Sequence, residues 1–290
     1  MAEKERISKY TIIRCIGQGG EGCVYLAKDE ELQRFVAIKK IGMRQGENKN
    51  DDRMLQEADI LRQLCHPMLP VIYELLWDGN WYLVMEYIHG VTMQRYIEQN
   101  GCAGEEQART WAGQLLDILQ YLHTQKPPVI YRDLKPQNVI VCPEGNLRLI
   151  DFGAAYRRSF GERGNRMAAT PGYGAPEQFG KKGMHICADE RSDIYALGML
   201  LYYMVTGADP GKPPYALLPV QDYQPLLGQS VEQVIRRCTK EEPLERYQTV
   251  EEIREDLNRE KRRRIYRPRR GGFIRRVEKR VWLTEWKSIL

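Results

Sequence analysis

The sequence predicts an α+β chain folded into two unequal lobes, a β-rich first third and a mainly helical remainder. Three observations carry this reading. Runs rich in β-branched and aromatic residues, separated by glycine or charged breaks, fill the stretch up to Tyr87. Beyond His89-Gly90 the apolar residues recur at helical spacing instead. The chain has 290 residues. A chain of that length suits one large domain or two lobes sharing a site, and hides roughly 75% of its unfolded surface.

Taken in order, Tyr10–Ile13, Val24–Ala27 and Phe35–Ile41 read as strands. Residues 42–53 are polar and read as a loop. Met54, Leu55, Ala58, Leu61 and Leu64 follow at helical spacing, and His66-Pro67 ends that helix. Val71–Trp77 and Trp81–Tyr87 read as two strands joined by the turn Asp78-Gly79-Asn80. Helices are expected at Met93–Gln99, Glu105–Thr124, Ser192–Thr206, Val231–Cys238 and Val250–Arg259. The first lobe is placed at about residues 10–85, a hinge at about 86–91, the second lobe at about 92–260, and a separate tail at 261–290.

Composition narrows the class. Hydrophobic residues make up 42% and charged residues 29%, which excludes disorder or a membrane bundle for the whole chain. Seven cysteines are scattered singly with no CxxC pair, against a disulfide framework or zinc site and in favour of a reducing compartment. The polar start carries no signal peptide. The longest uncharged run, Ile194–Ala208, falls short of the ~20 residues of a spanning helix and reads as a buried core helix. A cytoplasmic protein is expected. The net charge of +5 is uneven. Residues 261–290 hold 12 Lys/Arg against 2 Glu, whereas residues 1–260 hold 32 Lys/Arg against 37 Asp/Glu.

Three stretches carry chemistry. Gly17-Gln18-Gly19-Gly20-Glu21-Gly22 is a G-x-G-x-x-G whose next residues, Cys23 to Ala27, continue as a strand. The glycines therefore occupy a hairpin tip and not the strand-to-helix turn of a dinucleotide site. Alone they fit an ordinary hairpin; in context they let backbone lie over phosphates with no Cβ in the way. Lys39 sits inside the apolar strand Val36-Ala37-Ile38, where an ammonium is costly unless paired. Glu57, one turn into an apolar helical face, is the expected partner; a solvated edge lysine beside an unrelated surface glutamate is the competing reading. Tyr131-Arg132-Asp133-Leu134-Lys135-Pro136-Gln137-Asn138 is the most specific of the three, placing a carboxylate, an ammonium and an amide within six residues. Asp151-Phe152-Gly153 begins 13 residues after Asn138. Two short strands, Val139–Val141 and Leu147–Ile150, would bring Asn138 and Asp151 together at one end of a hairpin. Their oxygens suit Mg²⁺, which takes few protein ligands and completes its shell with phosphate oxygens. Asp133 is left to accept a proton.

With these residues in place the chain resembles the eukaryotic-type Ser/Thr protein kinases, and in its short architecture their bacterial members, over about residues 10–260. The glycine loop, strand lysine, helix glutamate, catalytic loop, metal aspartate and Ala175-Pro176-Glu177 occur in the family's order. The resemblance implies a bilobal protein-kinase-like fold and ATP-dependent transfer of the γ-phosphoryl group to protein hydroxyls. It implies that Lys39 holds the α- and β-phosphates and pairs with Glu57, that Asn138 and Asp151 hold Mg²⁺, and that Asp133 is the base, with Lys135 steadying the γ-phosphate. ATP would lie against Ile16, Gly17, Gln18, Gly19, Gly20, Glu21, Gly22, Cys23 and Val24, with Ala37 and Ile140 across the adenine. Met85 would be the gate residue, and Glu86 and Ile88 would offer hinge backbone groups. Leu61, Ile72, Tyr131 and Phe152 look like the apolar stack that joins the lobes. Asp193 and Arg246 stand where the family places a structural aspartate and the arginine that pairs with Glu177. Lys135, with Thr170 ahead of Pro171-Gly172, resembles the Ser/Thr branch.

The chain also departs from the family. Arg132 is the residue that in many relatives grips a phosphate, yet Arg166 occupies the usual phosphorylated position, and Arg157, Arg158 and Arg163 lie in the same segment. Switching by phosphorylation of that segment is therefore in doubt. Gln137 and Thr92 replace glutamates that some relatives use to read basic substrates. A pseudokinase is the main competing reading, and retention of Lys39, Glu57, Asp133, Asn138 and Asp151 argues against it. Small-molecule phosphotransfer is weakened by the intact Ala175-Pro176-Glu177. Protein substrates are the expected partners. For the basic tail with Trp282 and Trp286, the sharper expectation is a segment that docks on an anionic membrane surface or stands next to a membrane span outside this sequence, and a solvated tail is the plainer one. Nucleic acid ranks lower, and a fold-back onto the acidic domain is a further option.

Overall fold

The computed structural model describes residues 5–19, 22–41, 57–158, 169–179, 188–213, 215 and 217–265. The first lobe is an antiparallel sheet of order β1-β2-β3-β4-β6-β5. Its strands are β1 (Arg6–Ile7), β2 (Tyr10–Gly19), β3 (Gly22–Asp29), β4 (Arg34–Ile41), β5 (Ile72–Trp77) and β6 (Trp81–Glu86). One helix, α1, is described over residues 57–62. Alternation puts Tyr10, Ala27, Val36, Ile38, Tyr82 and Val84 on one face, where they form the sheet's own core. The β2–β3 ladder closes at Gly19 opposite Gly22, so the glycine motif occupies a hairpin tip, as its sequence context suggests.

The second lobe begins at β7 (Val91–Thr92) and is helical: α2 (Met93–Asn100), α3 (Glu105–His123), α4 (Glu190–Thr206), α5 (Val220–Tyr223), α6 (Gln229–Cys238) and α7 (Val250–Ile265). Four short strands, β8 (Val129–Ile130), β9 (Val139–Val141), β10 (Leu147–Leu149) and β11 (Tyr156–Arg157), hold the segments that face the first lobe. The core runs from Ile60, Leu61, Met68 and Leu69 down through α3 and α4 to Ile253 and Leu257 of α7. The uncharged run Ile194–Ala208 forms most of α4, buried on nearly every side. Asp189 and Ser192 start that helix with reciprocal side-chain-to-backbone bonds, and Gly207, at φ 69°, ends it by donating to the Tyr203 carbonyl. Gly198 leaves no room for a side chain between α4 and α6. A Cβ there would lie 2.5 Å from Cys238 Cβ.

Several elements differ from the expected bounds. The helix of Ala58 and Leu61 ends at residue 62, before Leu64, because Gln63 and Leu64 donate to the carbonyls of Ile60 and Leu61 and tighten the last turn. α7 continues to Ile265, past Arg259 and into the basic segment. Glu, Arg and Lys are good helix formers, and no glycine or proline interrupts them before Pro268. β1, β7, β8, β11 and α5 are too short to leave a period in the sequence. The polar stretch 42–53, Met54, Leu55, Gly20, Glu21, Ser159, Arg163, Arg166 and residues 266–290 lie outside the described residues. Among the described residues no helix is long and apolar enough to cross a membrane.

The base of the second lobe is held by a buried ion pair. Arg246 Nη1 and Nη2 donate to Glu177 Oε1 and Oε2 at 2.7 and 2.8 Å. The guanidinium also donates to the carbonyls of Lys240, Glu241 and Arg191, and Ser192 Oγ donates to Glu177 Oε1 at 2.8 Å. Removing one partner strands the other charge, which typically costs about 3–5 kcal/mol. We expect Arg246→Ala to lose about that much in chemical denaturation, and Glu177→Ala a comparable amount. A midpoint equal to that of the parent in either variant would show that the pair is not a stabilising tie.

Candidate active site

Lys39 lies on β4, opposite Val24 of β3 and Leu83 of β6, and is only 6% exposed. Its Nζ is 2.9 Å from Glu57 Oε2 and 3.1 Å from Oε1, and 2.8 Å from Asp151 Oδ1. Burial pulls the ammonium's pKa down, but the charges of Glu57 and Asp151 overcome this and hold it above the ordinary lysine value. Burial likewise pushes Asp151 up, and Lys39 outweighs it, leaving the carboxyl below the usual aspartate range. The Phe152 N–H donates to Glu57 Oε1 at 3.1 Å, so the glutamate of α1 meets both the lysine and the backbone beside Asp151. Asp151 has φ 63°, a left-handed conformation that a non-glycine residue rarely takes and that recurs at functional sites. Its side chain remains 37% exposed, leaving carboxylate surface open toward the cleft.

A second cluster forms around Asp133. Asn138 Nδ2 donates to the Asp133 carbonyl at 2.9 Å and to Oδ2 at 2.8 Å. Lys135 Nζ lies 2.8 Å from Oδ2, and Thr170 Oγ1 donates to Oδ1 at 2.7 Å. Lys135 Nζ also donates to Thr170 Oγ1 at 3.1 Å, closing the ring of contacts. The backbone of this loop hangs from Asp193 of α4, which accepts the N–H groups of Tyr131 and Arg132 at 2.9 and 2.7 Å. His123 Nε2, at the end of α3, is 2.9 Å from Asp193 Oδ2. The two clusters meet through the β9–β10 hairpin, whose ladder pairs Val139 with Leu149 and whose Ile150 N–H donates to the Asn138 carbonyl at 2.9 Å. Asn138 and Asp151 thus flank one end of that hairpin. Because the Asn138 amide nitrogen is turned to Asp133, its oxygen faces the other way. Together with Asp151 this is an all-oxygen donor set, of the kind Mg²⁺ accepts. Among the described residues, no group of three or more His, Cys, Asp and Glu side chains could hold a metal by itself.

Between the lobes, Ala37 pairs with Met85 and Leu26, and Ile140 pairs with Thr92 in the floor strands. Glu86 donates its N–H to the Val71 carbonyl at 2.8 Å, and Arg148 holds its carboxylate at 2.6 Å. Tyr131 and Phe152 meet edge to face with centroids 5.0 Å apart, in the same core as Leu61 and against Ile72. The structure thus brings Lys39, Glu57, Asp133, Lys135, Asn138 and Asp151 into adjoining networks. Gly20 and Glu21 are outside the described residues.

Two contributors escape a reading of the sequence. Gly90 has φ 151° and lies so close to β9 that a Cβ would sit 2.4 Å from the Val141 carbonyl oxygen and 2.6 Å from Ile140 Cγ2. Only its position at the change of texture hinted at it. His123, the last residue of α3, carried no signal at all, since its partner Asp193 is 70 residues away.

Comparison with known proteins agrees with this geometry. Residues 10–257 match the protein kinase domain family. The chain is 34% identical over 269 residues to the serine/threonine-protein kinase PrkC of Bacillus subtilis, with 87% of this chain and 41% of that protein covered. It is 32% identical over 273 residues to a probable serine/threonine-protein kinase of Clostridium perfringens, covering 88% and 38%. It is also 32% identical over 268 residues to the probable serine/threonine-protein kinase PknB of Lactococcus lactis subsp. lactis, covering 86% and 41%. The chain therefore spans about two fifths of the length of these relatives. With the match running from β2 to α7 and enclosing both the Lys39–Glu57 pair and the loop around Asp133, the chain belongs to the protein kinase family.

Proposed function

We propose that this chain is an ATP-dependent protein kinase that transfers the γ-phosphoryl group to Ser or Thr hydroxyls of protein substrates. The observation that carries the reading is the placement of Asp133 within bonding distance of Asn138, Lys135 and Thr170, beside the buried Lys39–Glu57–Asp151 cluster. Transfer from ATP needs little covalent chemistry from the protein and depends on positioning and charge. Lys39 carries the positive charge for the α- and β-phosphates, and Glu57 keeps it aimed. The glycine loop from Ile16 to Val24 covers the phosphates, and Ala37, Met85, Glu86, Ile88 and Ile140 surround the base. Asp133 accepts the proton of the incoming hydroxyl, and Lys135 steadies the phosphoryl oxygens. Asp151 and Asn138 would hold Mg²⁺, which supplies neutralisation of phosphate charge when bound. A pseudokinase would have little use for both clusters, and relatives of this chain are named as serine/threonine-protein kinases.

For the tail the reading is a surface anchor. The segment 261–290 carries 12 Lys/Arg and two tryptophans, and each basic charge near an anionic leaflet is worth ~1 kcal/mol. A cytoplasmic kinase held at the inner face of the membrane goes with this.

Three outcomes are expected. Asp133→Asn lowers kcat by ~10²–10⁴-fold, the span for losing a positioned base, with ATP affinity little changed; a parental rate would remove Asp133 from that role. Asp151→Ala abolishes Mg·ATP turnover, and EDTA silences the parent until Mg²⁺ is returned; phosphate transfer that persists in EDTA contradicts the metal assignment. The chain co-sediments with anionic but not neutral liposomes, less so as salt rises, and deletion of 261–290 abolishes this. Equal sedimentation of both forms rejects the anchor.

A further inference from the structure

The segment 169–179 is fastened to the second lobe at two points away from Asp133. The Tyr173 hydroxyl donates to Asp209 Oδ1 at 3.2 Å, and Glu177 holds Arg246. The same segment meets the catalytic loop at two others. Near its start, Thr170 Oγ1 donates to Asp133 Oδ1. Near its end lies Gln178, in a short 3₁₀ turn at Pro176–Phe179. Its Nε2 donates to the Arg132 carbonyl at 3.1 Å, and its Oε1 accepts the Ala175 N–H at 2.8 Å. These neighbours fix which way the amide faces, since a carbonyl can only accept and an N–H can only donate. One side chain thus joins the segment to the catalytic loop through both of its polar atoms.

The carbonyl that Gln178 holds belongs to the peptide joining Arg132 to Asp133. Arg132 has φ 66°, a left-handed conformation that persists in a non-glycine residue only where its surroundings hold it. Asp193 accepts the N–H of that residue at 2.7 Å, and Gln178 donates to its carbonyl. The two bonds together orient the backbone from which the Asp133 side chain departs. They also differ from the Thr170 bond in what the reaction asks of them. An incoming hydroxyl needs a place on Asp133, where Thr170 now sits, whereas the Arg132 carbonyl has no part in the transfer. We propose that Gln178 is a positioning residue: its amide ties the 169–179 segment to the backbone beside Asp133 and keeps the two aligned when Thr170 gives way to the incoming hydroxyl. This rests on the kinase reading above, and it goes beyond it by naming what holds the base and that segment together during transfer.

Two variants of the full chain separate the two bonds. Gln178→Met keeps the length of the side chain and loses both. Gln178→Glu keeps the acceptor for the Ala175 N–H and loses the donor for the Arg132 carbonyl. With casein as substrate, each variant loses roughly 10- to 100-fold in kcat, as displaced catalytic groups do. The KM for ATP and the thermal midpoint stay close to the parent's. Hydrogen exchange follows the bonds. The amides of Tyr131 and Arg132, held by Asp193 in the parent, exchange faster in both variants. The Ala175 amide exchanges faster in Gln178→Met and stays protected in Gln178→Glu. A parental kcat in either variant overturns the proposal. So does a kcat that falls only together with the thermal midpoint and ATP binding, because that is a general loosening of the fold. If the parent transfers no phosphate to casein, to other proteins or to itself, the kinase reading fails on its own. The exchange comparison then decides the tie, and parental exchange at Tyr131 and Arg132 in Gln178→Met sinks it.

Discussion

The site depends on one buried ammonium. Lys39 emerges from the middle of a strand into a place with almost no solvent, where an unpaired charge would be expelled or neutralised. It is kept there by two carboxylates from different parts of the chain, Glu57 on α1 and Asp151 after β10. Satisfying this one charge therefore brings three elements together, and two of them belong to different lobes. The Phe152 N–H on Glu57 completes the arrangement, since it fixes the backbone at the point where Asp151 adopts its left-handed conformation. The apolar contact of Phe152 with Tyr131 then carries the same constraint into the catalytic loop.

The second lobe answers with a fixed base. α4 is buried along most of its length, and its first turn presents Ser192 and Asp193 to two different tasks. Ser192 bonds Glu177, whose partner Arg246 is tied to three carbonyls. Asp193 holds the loop that carries Asp133. A helix packed this closely against α6, with no room for a Cβ at Gly198, cannot tilt without moving both.

Much of this is legible in the sequence because the cues are local or chemically costly. A lysine among Val36, Ala37 and Ile38 demands a partner, and the apolar helical face around Glu57 offers one. The longer strands and helices show their periods, and the spacing from Asn138 to Asp151 implies the hairpin that the β9–β10 ladder forms. What stays hidden depends on contacts between distant parts of the chain. The His123–Asp193 bond, the tight approach of Gly90 to Val141 and the bond from Gln178 to the Arg132 carbonyl leave no pattern in any window of residues. The two-residue strands are defined by their partners, since two residues cannot show alternation. The helix end at residue 62 was set by backbone bonding, which apolar spacing through Leu64 cannot reveal.

The way the polar groups are satisfied separates Asp193 and Arg246 from Asp133 and Asp151. Asp193 is fully buried, and its acceptors are filled by backbone N–H groups and a histidine at the end of a packed helix. Arg246 is equally enclosed and spends its donors on carbonyls and Glu177. Nothing that enters the cleft can compete for either. Asp133 and Asp151 are arranged otherwise. Asp133 is met by Lys135, Thr170 and Asn138, and Asp151 by Lys39 and the Gly153 N–H, and both carboxylates keep some exposed surface. On the proposed reading Asp133 takes up a proton and Asp151 a cation, and each has to exchange partners to do so; long, flexible lysines and a hydroxyl rotor can move with little strain. The fold thus keeps Asp193 and Arg246 enclosed and fully satisfied, and the cleft is left with charges whose partners can change.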